Sequence, residues 1–171
     1  MRRLAFIFVL AAIAVPAAAV AAGRSVGDGA FELRSANGTV ILTGKGVLWG
    51  QLDNGSLRVT DPTTATAPSL LVSGAEHTRP VGENVTVYWG SNLTFRETGG
   101  KYRIRFKGAG LDLTAIGSGT ADLTGDPTTA TDGSFAIDSG KWQPVPLLEN
   151  VVTYGLQPTT TTTTTGSQTG P

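Results

Sequence analysis

Lys101, Arg103, Arg105 and Lys107 occupy alternate positions in Lys101-Tyr102-Arg103-Ile104-Arg105-Phe106-Lys107. In an extended strand successive side chains point to opposite faces. The four cations therefore share one face, and Tyr102, Ile104 and Phe106 share the other. Arg96 lies just upstream, across the turn at Thr98-Gly99-Gly100, and is placed to join the basic face. Such a row suits an anionic partner: a phosphate-bearing wall polymer, a lipid headgroup or an acidic polysaccharide. The plain alternative is a solvated strand face that resists edge pairing and meets Asp112 or Asp122 across the sheet.

Other chemistry is thinly supported. His77 is the single histidine, so neither a catalytic triad nor a multi-histidine metal site can be assembled. There are no cysteines, which removes disulfides, thiolate metal sites and thiol nucleophiles. Glycoside hydrolysis needs two facing carboxylates, and Asp112 with Asp122 or Glu83 with Glu149 are the available pairs. No motif stands behind either. Asp61 and Asp126 each precede proline, where a carboxylate caps a turn. The glycines form no phosphate-binding loop, because no helix follows them. Asn37, Asn54, Asn84 and Asn92 head N-glycosylation triplets. Trp89 and Trp142 offer a weak sugar-stacking surface, while Trp49 aligns with Leu113 and is expected in the core. No enzyme activity, metal or cofactor is predicted.

The elements that carry these residues read as strands. No segment after the N-terminal region shows a sustained 3.6-residue apolar period. Asp53-Asn54-Gly55 reads as a type I′ hairpin turn, with Gly117-Ser118-Gly119 in the equivalent place, and Thr98-Gly99-Gly100-Lys101 reads as another hairpin. Gly44-x-Gly46 and Gly108-x-Gly110 mark bulges or sharp bends.

The chain also repeats itself. Asp61-Pro62-Thr63-Thr64-Ala65-Thr66 recurs at Asp126-Pro127-Thr128-Thr129-Ala130-Thr131, and the apolar and glycine pattern around it aligns in order. Two tandem units, about 30–92 and 93–155, follow from that. The expected fold is all-β: a single compact β-sandwich or closed barrel of about ten to twelve short antiparallel strands with pseudo-two-fold symmetry.

The ends differ in kind. Met1-Arg2-Arg3, an apolar run to Val15 and the small residues Ala17–Ala22 form a signal peptide over residues 1–22. The apolar part is too short to span a bilayer, so no membrane span is expected in the mature form. Removal of that leader leaves 11 basic against 13 acidic residues, which gives no general attraction for nucleic acid. Residues 23–157 form the β-domain. Residues 158–171, with Thr159–Thr165, form a disordered threonine-rich tail.

Val87-Tyr88-Trp89-Gly90-Ser91-Asn92-Leu93-Thr94-Phe95-Arg96, the run Gly99–Gly110, Gly44-x-Gly46 and Asp138-x-Gly140-x-Trp142-Gln143-Pro144 are the most distinctive segments. Over roughly residues 37–147 the chain resembles a family of small exported all-β proteins of actinobacteria. That resemblance implies export and a β fold, and it transfers no site residues. The expectation is a secreted or cell-envelope-associated, non-enzymatic binding or structural domain. Its partner would be an anionic surface polymer, the alternative being a carbohydrate-active or carbohydrate-binding domain.

Overall fold

The computed structural model describes residues 26–61 and 70–155. The signal peptide, the threonine tail and most of the first repeated hexapeptide lie outside the described residues.

Among the described residues all regular structure is strand, in the order β1 Gly29–Thr60, β2 Leu70–Ser73, β3 His77–Gly82, β4 Val85–Glu97, β5 Lys101–Gly125, β6 Ser134–Ile137, β7 Gln143–Pro144 and β8 Asn150–Tyr154. All pairings are antiparallel. The principal path through the sheet runs β2-β4-β1-β5-β8. It does not return on itself, so the sheet is not closed.

Fewer strands form than the sequence suggests, because two of them are very long: β1 has 32 residues and β5 has 25. They wind around each other. Residues 38–45 of β1 pair on one edge with residues 101–108 of β5 and on the other with residues 118–125. Further along, Leu48–Thr60 carries β5 on one edge and β4 on the other.

Both predicted turns at Asn54-Gly55 and Gly117-Ser118-Gly119 are therefore strand interior. Asn54 and Gly55 face Ala109 and Gly108 on one side and Ser91 and Gly90 on the other. The local preference of Asn-Gly for a turn yields to a ladder that fills both edges. Thr98–Gly100 is a break rather than a hairpin. Glu97 pairs with Leu48 and Lys101 with Lys45, so β4 and β5 follow one another along the same side of β1.

Glycine makes the winding possible. A Cβ on Gly46 would overlap the carbonyl oxygen of Ile116, and its φ of 130° suits no other residue. The bend expected at Gly108-x-Gly110 has a definite form. Before it the buried residues of β5 are Tyr102, Ile104 and Phe106; after it they are Leu111, Leu113 and Ala115. Alternation has slipped by one, and the strand has changed the face that it turns inward. Directly opposite, β1 does the same across Asp53–Gly55, passing from Leu48 and Leu52 to Leu57. No such slip occurs at Gly44-x-Gly46, where Leu42 and Leu48 keep one parity.

The core joins Phe31, Leu33, Leu42, Leu57, Phe95, Ile104, Phe106 and Leu123 into one cluster. Phe95 and Phe106 lie 4.8 Å apart between ring centroids. At the other end the Tyr102 and Tyr154 hydroxyls meet at 2.6 Å. Burial pushes both phenols above the ordinary tyrosine range. Glu97 is buried near Tyr102 and has one carboxylate oxygen without a hydrogen-bond partner.

Candidate functional site

Lys101, Arg103, Arg105 and Lys107 are exposed on β5, with Tyr102, Ile104 and Phe106 buried behind them. This strand is not an edge. Arg103 has Thr43 and Thr60 on its two sides, Arg105 has Ile41 and Arg58, and Lys107 has Thr39 and Ser56. Protection of a sheet edge cannot account for Arg103, Arg105 and Lys107.

Their neighbours add charge of the same sign. Arg58 lies directly across from Arg105, and Lys45 lies directly across from Lys101. All four are exposed. Residues directly opposite in an antiparallel pair share a face, with Cβ atoms about 4.5–5.5 Å apart, and like charges there are destabilising. Beyond Arg58 in the same row come Val87 and then Arg79. The acidic residues expected to neutralise the row do not lie directly across from its cations, although Asp122 stands in the same cross-strand row. Asp122 is separated from Arg105 by Ile41. Asp112 lies past the face change and pairs with Gln51. Asp126 approaches the end of the row at Lys107; its carboxyl is held below the usual range by the Thr128 hydroxyl and amide, with a smaller contribution from Lys107.

Arg96 does not sit in this row. It lies beyond the Thr98–Gly100 break, between Trp49 and Leu71. There it helps to line a groove of about 800 Å³ across β2, β4, β1 and β5. Trp49 also lines it, so Trp49 is not a core residue. It shares the outward face with its partner Thr114, whereas Leu113 points inward. The alignment with Leu113 fails because the two strands change face at different places in their own sequences.

The groove is firmly built. Ser35 takes a left-handed conformation, φ 48°, at an irregularity in β1. Its amide donates to Asp112 Oδ1 at 2.7 Å, and Gln51 Nε2 donates to Asp112 Oδ2 at 3.1 Å. Trp142 forms one wall, with the Arg34 guanidinium 4.0 Å from its ring centroid. The loop before Trp142 is pinned to β1: Asp138 exchanges both backbone and side-chain hydrogen bonds with Ala30.

The carboxylate pairs considered from sequence are not brought together. Asp112 pairs with Gln51, whereas Asp122 pairs with Ile41 and Val151, at a different place along β5. Glu83 lies in the β3–β4 turn and Glu149 precedes β8, next to different strands. Trp89 is outside the groove, near Lys107 and Glu76. His77 is exposed on β3 across from Trp89. Among the described residues no three His, Asp or Glu side chains are grouped to hold a metal, and no helix is long and apolar enough to cross a membrane.

The fold and these surfaces define an all-β chain that presents fixed side chains from a wound antiparallel sheet. No protein-family model, curated protein or solved structure matches it.

Proposed function

We propose that this chain is an exported, non-enzymatic binding domain whose basic face engages an anionic polymer of the cell envelope. The observation that carries the proposal is the pairing of like charges across the β1–β5 ladder, with Arg58 and Arg105 flanked by strand on both sides. Arg58 opposes Arg105 and Lys45 opposes Lys101, with Arg103 and Lys107 alongside. Such pairs oppose folding, and at Arg58 and Arg105 no edge needs their protection. A polyanion laid along the rows would relieve the repulsion, with affinity that falls as salt rises. The N-terminal leader supplies the route to the envelope.

The same reading takes the sheet as a sandwich-like roll built from two tandem copies, about 30–92 and 93–155. Matched pairings support the duplication: Leu70 opposes Glu97 and Val72 opposes Phe95, as Phe135 opposes Leu33 and Ile137 opposes Phe31. Only the second copy carries the Arg103–Lys107 row.

The test is retention of the full chain on immobilised poly(glycerol phosphate) and adsorption to isolated cell envelopes. Retention is expected at low salt and is lost at about 1 M NaCl, where the Debye length shrinks to about 3 Å. Replacing Arg58, Arg105 and Lys107 together by serine should abolish both. Unchanged retention by that folded triple variant would overturn the proposal.

A further inference from the structure

We infer that the groove lined by Trp49 and Trp142 is a second binding site, and that it takes a neutral glycan segment. It is a different surface from the basic face, and its occupant differs for a physical reason. Arg34 and Arg96 are matched there by Glu32 and Asp112. A balanced lining gives no net attraction for a polyanion but offers donors and acceptors to hydroxyl groups.

The aromatic component fits the same ligand. Trp142 is 38% exposed although Arg34 lies over its ring. Trp49 is half-buried in the floor, across from Thr114. Two indoles on one concave face give the apolar side of a sugar ring surfaces to stack on. Asp112 is held by the Ser35 amide and by Gln51, so its carboxylate is fixed before any ligand arrives. Fixed polar groups around an aromatic platform lower the ordering cost of binding. The volume of about 800 Å³ admits more than one ring.

The experiment uses the full chain with Trp89→Phe, which removes the one tryptophan outside the groove and leaves Trp49 and Trp142 as its reporters. Tryptophan emission is titrated with cellohexaose, chitohexaose, maltohexaose and mannohexaose, and with hexagalacturonate as the charged counterpart. At least one neutral hexasaccharide should change the emission saturably. Trp142→Ala should weaken that binding about tenfold. Gln51→Ala, an exposed position whose loss does not endanger the fold, should weaken it as well. Arg105→Ser should leave it unchanged, which separates this site from the basic face. Failure of all four neutral sugars, tighter binding of hexagalacturonate, or full affinity in both Trp142→Ala and Gln51→Ala would each overturn the inference. Retention on poly(glycerol phosphate) is independent of every one of these results.

Discussion

Replacing Arg105 by threonine should make the protein more stable and a poorer polyanion binder at once. Arg105 faces Arg58 directly across the β1–β5 ladder, and both are exposed. Unit charges held as close as the two Cβ atoms, about 5 Å, would repel by about 0.8 kcal/mol in a water-like dielectric, an upper bound for long exposed side chains. That agrees with the range of about 0.2–1 kcal/mol for cross-strand pairs. Threonine keeps the strand preference of the position, so relief of the repulsion should dominate. For a domain of this size the gain corresponds to a rise in Tm of about 2–5 °C. The assay is thermal unfolding of the parent, Arg58→Thr, Arg105→Thr and the double variant at about 0.02 M and 1 M NaCl. At low salt the coupling within the double-mutant cycle should be unfavourable to the native state; at high salt it should vanish, because the charges are screened. A favourable coupling, or one indifferent to salt, would refute the claim that these arginines repel. It would also remove the reason for assigning the row to a ligand.

Two further predictions rest on the backbone and the core. Gly46→Ala should destabilise by more than about 3 kcal/mol or prevent folding, since its Cβ meets the Ile116 backbone, whereas Gly100→Ala, with open space around it, should cost only about 1 kcal/mol; urea midpoints that rank them the other way would contradict the close packing of β1 on β5. The Tyr102 and Tyr154 hydroxyls titrate higher in the folded chain than in the unfolded one, so their contribution is complete below about pH 10 and is lost as pH rises beyond it. Tyr102→Phe with Tyr154→Phe should flatten the alkaline fall of Tm, and an unaltered slope would speak against the buried pair.

The all-β character was legible because it depends on local alternation. Tyr102, Ile104 and Phe106 do face the core, and Lys101, Arg103, Arg105 and Lys107 do face solvent. Period two is sufficient for that assignment. The partners of those cations were not legible: Arg58, Lys45 and Arg79 join the face only through register, and register is a long-range property. Turn chemistry misled for the opposite reason. Asn54-Gly55 has the local preference of a turn, yet both edges of the strand are occupied there. Trp49 was misplaced because repeat alignment assumes that equivalent residues keep one face, and the slips at Asp53–Gly55 and Gly108–Gly110 break that assumption. The groove combines residues from four strands and the loop that holds Trp142, and no spacing in the chain announces it.

The mutual winding of β1 and β5 has a kinetic consequence. β1 ends at Thr60, and its long partner is not finished until Gly125. At about 5–20 residues per second a growing chain needs roughly 3–13 s to supply those 65 residues. During that interval a 32-residue segment rich in strand formers has no long partner of its own. Contacts so distant in sequence also close slowly. The strongest competitor is another waiting copy of the same segment. Gly38, Gly44, Gly46, Gly50 and Gly55 interrupt β1 at short intervals. The residues that let the finished strands pack backbone to backbone thus also weaken premature self-association, and restoring side chains there should show as aggregation during synthesis before it shows as altered binding.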